Sequence, residues 1–333
     1  MSLDGTILAA ARRRFLADRE ARRAELERRR EEIERRLPRV AEIDRELRGA
    51  AAQLLLAAFE REEDPEPALR ELEKRNLALQ RERAEALVGA GYPYDYVDDA
   101  PACPQCQDSG CLADGAVCRC LMRYYTQEQN RRLSRLLDLG SQSFETFSFD
   151  WYGTQAWESY GRSPRENMEI VFDICTGFAR TFAYGSGNLL FTGPPGLGKT
   201  FLSACIAREV SGRGFSVVYD TAAHIFQSFE SGKFGREGLP GEDPEREIER
   251  CLHCDLLIMD DLGTEMLTSF VQATVYRLVN ERLLSRKSTL LSTNLSVQEL
   301  GRRYGEAVLS RVQGEYGCLV FFGEDIRLLK RDR

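Results

Sequence analysis

Gly193, Pro194, Pro195, Gly196, Leu197, Gly198, Lys199 and Thr200 spell G-x-x-x-x-G-K-T, and Phe201 follows them. The octet stands after an apolar run, NLLFT, and before a helix-forming one, FLSACIAREV. A loop in that place turns its backbone N–H groups inward around a β-phosphate, and the helix N-terminus behind it adds partial positive charge. Lys199 then reaches the β- and γ-oxygens and the Thr200 hydroxyl ligates Mg²⁺. The chemistry on offer is binding of ATP. A glycine-rich turn without a ligand is the plain alternative, which the flanking strand and helix argue against.

Two further apolar runs end in polar groups suited to the same phosphates. LLIM leads into Asp260 and Asp261. One carboxylate at such a strand end holds magnesium through water and its neighbour orients or deprotonates the attacking water, roles that fall to Asp260 and Asp261 in that order. LLST leads into Asn294, whose amide can touch the γ-phosphate or that water.

A second chemistry is written upstream. Five of the ten cysteines fall within CPQCQDSGCLADGAVCRC, residues 103–120. Cys103 and Cys106 flank a tight turn that aims two thiolates at one ion, and Cys118 with Cys120 supplies a second pair. Four thiolates suit tetrahedral zinc, with Cys111 able to replace one of the last pair. An iron–sulfur cluster or free thiols are the other readings. Cys251 and Cys254 form a C-x-x-C with no second pair nearby, so they read as core residues. His224 and His253, the two histidines, read as structural or incidental.

The elements that position these groups follow from pattern. The chain of 333 residues is long enough for one large unit and a smaller one, and its formal charge is -7. No apolar run approaches the roughly 18 residues of a membrane helix. The Arg- and Glu-rich start shows no secretory signal, so a cytoplasmic location is expected. A net acidic chain binds nucleic acid only through local basic patches. Residues 1–100 are dominated by strong helix formers. Leu26, Ile33, Val40, Leu47 and Leu54 recur at heptad spacing, and Pro38 divides the segment into helices near 4–36 and 38–61. Asp64-Pro65 reads as the start of a third helix, ending at Gly89 and Gly91. This region is either a solvated bundle or a protein-docking arm. A helix is expected over 121–139, and SQSFETFSFDWYG reads as ordered linker. Ser163-Pro164-Arg165-Glu166 is a capping box opening a helix to about Phe182. Short apolar strands then alternate with amphipathic stretches, which predicts an α/β fold with a parallel sheet covered by helices on both faces. The division is 1–100 helical arm, 101–125 zinc-binding segment, 126–162 linker and 163–333 nucleotide-binding domain.

The order GPPGLGKT, LLIMDDLGTE, LLSTN and YGEAVLSRV resembles the DnaC/DnaI-type helicase loaders, a branch of the AAA+ ATPases that also includes the IstB transposition helpers. The resemblance covers roughly residues 145–330. It implies that Lys199 and Thr200 are the Walker A pair, Asp260 and Asp261 Walker B, and Asn294 sensor 1. Arg311, in LSRV, matches an arginine finger that reaches a neighbouring subunit's nucleotide, and Arg327, in GEDIR, a sensor 2-like arginine. Asp-Asp stands where most AAA+ proteins have Asp-Glu, which implies slow intrinsic hydrolysis. Arg333 comes too soon for a full helical lid domain. The stretch between the second strand and Walker B resembles the insertion that lines single-stranded DNA. Its Phe226, Phe229, Lys233, Phe234 and Arg236 could stack bases and track phosphates, or the rings could simply pack in the core. The zinc-stapled arm resembles the region by which such loaders grip a hexameric replicative helicase. The expected function is therefore ATP-dependent loading of that helicase on single-stranded DNA. The alternatives are an IstB-type transposition helper, a P-loop kinase, and a zinc adaptor that binds nucleotide without turnover.

Overall fold

The computed structural model describes residues 3–60, 66–133, 141–234 and 243–331. The expected helix start at Asp64-Pro65 lies outside these residues. Two compact units are present, Arg13–Cys120 on one hand and Met1–Arg12 with Leu121–Arg333 on the other. Among the described residues no helix is long and apolar enough to cross a membrane.

The first unit is built on α1 (Gly5–Arg36) from Arg13 onward, α2 (Pro38–Glu60) and α3 (Glu66–Gly89). Pro38 opens α2, where its missing N–H removes no hydrogen bond. Ile33 and Val40 from the expected seam pack with Leu87 and Val97 in a small core. Arg83, largely buried, bridges Asp44 and Asp98 at 2.6 Å each. The exposed Arg–Glu pairs along α1 contribute little by comparison.

The second unit holds a five-stranded parallel sheet in the order β2-β3-β4-β1-β5. The strands are β1 (Asn188–Thr192), β2 (Val217–Thr221), β3 (Leu256–Leu262), β4 (Ser288–Thr293) and β5 (Tyr316–Val320). They read as continuous apolar runs because alternate side chains meet different helices. Leu189, Phe191, Ile258 and Leu290 point toward α5 (Pro164–Thr181) and α6 (Lys199–Gly212). Leu190, Leu257, Met259 and Leu291 meet α7 (Ala222–Phe234), α8 (Pro244–His253) and α9 (Ser269–Leu284), with α10 (Val297–Tyr304) and α11 (Glu306–Glu315) on the same side. Helix α4 (Arg119–Leu133) ends the described part of 121–139, and a short α12 (Ile326–Arg331) follows β5. The predicted capping box at Ser163 forms, with Glu166 bonding back to Ser163 N–H at 2.8 Å. This is the expected α/β arrangement, a parallel sheet covered by helices on both faces.

Candidate nucleotide-binding site and metal centre

All strands being parallel, the loops after β1, β3 and β4 open at one edge, and the predicted phosphate-binding residues meet there. Lys199 and Thr200 open α6 directly after the glycine loop. Gly198 is left-handed, and an added Cβ would stand 2.8 Å from the Tyr152 hydroxyl. That hydroxyl in turn donates to the Leu197 carbonyl at 3.1 Å, fastening the 144–152 segment onto the loop. The buried Lys199 ammonium donates to the Gly193 and Pro194 carbonyls at 2.6 and 2.7 Å and to Asn294 Oδ1 at 2.8 Å. Burial pulls its pKa down to about 8.

Asp260 and Asp261 would face opposite sides of a regular strand. The register with β4 breaks between Met259 and Leu262, and Asp261 takes a left-handed φ of 54°. Asp260 therefore stays buried, accepting from the Thr200 hydroxyl at 2.9 Å and the Tyr219 hydroxyl at 2.7 Å. Asp261 instead joins Lys199, Thr200, Asn294 and Arg327 around one cavity of about 330 Å³. Its pKa is raised, first by burial and then by the Asp260 charge. Thr200 and Asp260 set a hydroxyl beside a carboxylate, hard oxygen donors that fit Mg²⁺ together with phosphate oxygens.

Arg327 arrives from the other side. Asp325 accepts from its N–H at 2.8 Å as α12 begins, and Ile326 N–H donates to Gly196 O at 3.0 Å. Arg311 does not join this group within its own chain. Its guanidinium donates to Asn280 Oδ1 at 2.9 Å, Ala307 O at 3.0 Å and the Tyr276 hydroxyl at 3.0 Å, 4.6 Å from the Tyr276 ring centre.

The supposed linker is part of the site, which composition did not reveal. Two 3-10 turns, Phe144–Thr146 and Phe149–Trp151, bring Gln142, Phe147, Trp151 and Tyr152 to the cavity wall beside Phe201. The run of aromatics was the available signal. Tyr219 gave none, since a tyrosine in an apolar strand reads as core.

Of the suggested DNA contacts, Phe226 and Phe229 are 4% exposed and packed in the core with Ile225 and Leu252. A ring so enclosed offers no face to a base, which corrects the stacking expectation for both. Lys233 is exposed, its ammonium 5.0 Å from the Phe270 ring centre. The side chain of Phe234 and the whole of Arg236 lie outside the described residues. Cys251 and Cys254 are buried in the core. His224 pairs with Asp220, and His253 with Glu249 at 3.1 Å.

In the other unit, the sulfurs of Cys103, Cys106, Cys118 and Cys120 all lie within 4.8 Å of one another. Asp108 shapes the turn between them, accepting from the N–H groups of Ala102 and Cys103 at 3.1 and 2.8 Å. Gln107 and Asp108 both take left-handed φ there. Cys111 is outside the group and bridges to Val117 through its backbone. Among the described residues the group consists of four thiols alone, with no carboxylate or imidazole as a member, which fits a closed, tetrahedral structural metal.

Residues 175–313 match the family model of the IstB-like ATP binding protein. The replicative helicase loader DnaC of Escherichia coli (strain K12) is 27% identical over 170 residues, 51% of this chain and 67% of that protein. DnaC of Buchnera aphidicola subsp. Baizongia pistaciae is 26% identical over 162 residues, 49% of this chain and 64% of that one. A crystal structure of the DnaC helicase loader aligns over 54% of this chain and 98% of its own, at 21% identity and a TM-score of 0.42. The family match falls on the elements that carry Lys199, Asp260 and Asn294, and over them the chain is similar to the IstB-like ATP binding protein and to the DnaC helicase loaders.

Proposed function

We propose that this chain is a cytoplasmic, ATP-hydrolysing loader that places a hexameric replicative helicase on single-stranded DNA during replication initiation or restart. The observation that carries the proposal is the coincidence of the DnaC match with a complete phosphate-binding edge. In this reading residues 1–100 and the zinc segment 101–125 dock the helicase, 126–162 link, and 163–333 respond to ATP and DNA. Thr200 and Asp260 would hold Mg²⁺, which neutralises charge developing on the phosphates. Lys199 binds the β- and γ-oxygens, Asp261 orients or deprotonates the attacking water, Asn294 contacts the γ-phosphate or that water, and Arg327 adds positive charge in cis. Arg311 serves the nucleotide of a neighbouring subunit, so hydrolysis is slow in the isolated chain. Lys233 remains the DNA-contact candidate with a described side chain. Cys103, Cys106, Cys118 and Cys120 would hold zinc as a rigid staple.

The test is light scattering of the zinc-loaded full-length chain mixed with the replicative helicase from the same genome. A stable complex that EDTA dissolves supports the loader. The family model's own description favours a second reading, an IstB-type transposition helper. Absence of a helicase complex from a folded protein, together with ATP-dependent filaments on duplex DNA, would favour that second reading.

A further inference from the structure

We propose that Asp325 positions Arg327 at the phosphates, its carboxyl group lodged in the gap that Gly196 leaves in the phosphate loop, so that loop and arginine keep one fixed geometry. The proposal rests on the cavity being a nucleoside triphosphate site to which Arg327 supplies charge, and it adds the residue that holds that arginine in place.

Arg327 stands on α12, a helix of six residues. A helix that short has little stability of its own, so its direction is set by where its start is tied. Phe321 N–H donates to Thr192 O at 2.7 Å, and Ile326 N–H to Gly196 O at 3.0 Å. The third tie is the Asp325 side chain. A Cβ added to Gly196 would stand 1.9 Å from its Oδ1 and 2.1 Å from its Cγ, so the carboxyl fills the space that any other residue in the loop would need. Asp325 Oδ1 accepts from Arg327 N–H at 2.8 Å, and Asp325 O accepts from the N–H groups of Leu328 and Leu329 at 3.1 Å each, which starts the helix at that point.

From this start Arg327 lines the cavity beside Lys199, Thr200 and Asp261, whereas Asp325 does not line it. Burial lowers the Lys199 pKa, and the Arg327 charge adds to that, so the two cations feel one another across the cavity. Lys330, one turn on, sets its ammonium 5.2 Å from the centre of the Trp151 ring, an exposed contact too weak to fix the helix alone. The part given to Asp325 needs shape and an acceptor oxygen rather than charge. Asparagine offers both and caps a helix as well as aspartate does. Glutamate keeps the charge, but its extra methylene carries the carboxyl past the gap.

The experiment measures ATP binding with Mg²⁺ to the full-length protein by titration calorimetry, for Asp325→Ala, Asp325→Asn, Asp325→Glu, Arg327→Ala and the double variant Asp325→Ala with Arg327→Ala. Arg327→Ala should lose roughly tenfold or more in affinity, the scale of one hydrogen bond to a charged group. Asp325→Ala should lose about as much, and the double variant no more than Arg327→Ala, because a residue that acts through Arg327 has nothing left to act on. Asp325→Asn should bind like the wild type and Asp325→Glu like Asp325→Ala. Undiminished binding by Asp325→Ala, losses that multiply in the double variant, or an Asp325→Asn as weak as Asp325→Ala overturns the assignment. If Asp325→Ala fails to fold, the Asn and Glu variants decide, and equal binding by those two overturns it. A wild type that binds no ATP would instead refute the nucleotide-site reading, whereas wild-type binding by Arg327→Ala would remove Arg327 from that reading and this proposal with it.

Discussion

The hydroxyl of Tyr219, on β2, donates to Oδ2 of Asp260 on the neighbouring strand β3 at 2.7 Å. The same oxygen accepts from Thr200, and Asp261 N–H donates to the other oxygen at 3.0 Å. The carboxylate is thus oriented from three sides before any metal arrives. Burial, and then the Asp260 charge, hold the Tyr219 phenol far above its usual pKa, so it remains a donor throughout the working range.

Tyr219→Phe should therefore raise the Mg²⁺ concentration needed for half-maximal nucleotide binding several-fold, the scale of one charge-assisted hydrogen bond. Nucleotide binding in EDTA and the melting temperature should change little. Mn²⁺ binding followed by electron paramagnetic resonance gives an independent reading. An unchanged metal requirement would leave Tyr219 as packing alone.

Metal removal should act on the other unit. Zinc bound at the four cysteines would contribute on the order of 10 kcal/mol to ordering this short segment. Chelation should unfold residues 101–120 while ATP binding persists. Cys111→Ser should keep one zinc per chain by elemental analysis, and Cys106→Ser should lose it. Zinc retained in Cys106→Ser would mean that Cys111, or another group, completes the site.

Much of this was legible because the chemistry sits in short contiguous stretches. GPPGLGKT between a strand and a helix needs no tertiary knowledge, and neither does Pro38 as a helix start. Asp261 is different: its turn toward the cavity depends on the break in strand register, which LLIMDD does not announce. Phe226 and Phe229 carry the same pattern whether they face DNA or a sheet, and Leu257 and Met259 on β3 claim them for the core. Gln142 and the aromatics through Tyr152 look like linker because their partners, the glycine loop and α6, lie far along the chain.

Acid stability should depend on Asp255. Its buried carboxylate accepts from Ser216 N–H at 3.0 Å, the Ser216 hydroxyl at 2.9 Å and the Lys287 ammonium at 2.8 Å. Burial opposes ionisation, but the bonds from Lys287 and Ser216 outweigh it and lower the pKa. A carboxyl with its folded pKa below the unfolded value of about 3.9 stabilises above that pH and loses the contribution as pH falls through the folded value. Asp255→Asn should cost about 3 kcal/mol at pH 7 by stranding Lys287, and should flatten the loss of stability below pH 4. Urea melts at pH 7 and pH 3 check both; parallel pH profiles for wild type and variant would count against it.

Arg311 supplies the sharpest test of assembly. Its three nitrogens are held by Asn280, Ala307 and Tyr276, away from the cavity of its own chain. A guanidinium offered in trans to a transferring phosphoryl group can be worth roughly 10³ to 10⁵ in rate, and a lysine lacks its planar fork. Arg311→Ala and Arg311→Lys should both bind ATP like the wild type and lose assembly-dependent turnover. Lys199→Ala should lose tight ATP binding itself. Mixing Arg311→Ala with Lys199→Ala chains should restore part of the turnover, because one supplies the finger and the other the intact nucleotide site. Equal loss of ATP binding in the two variants, or an absence of rescue in mixed assemblies of confirmed size, would leave Arg311 as a brace between α11 and α9.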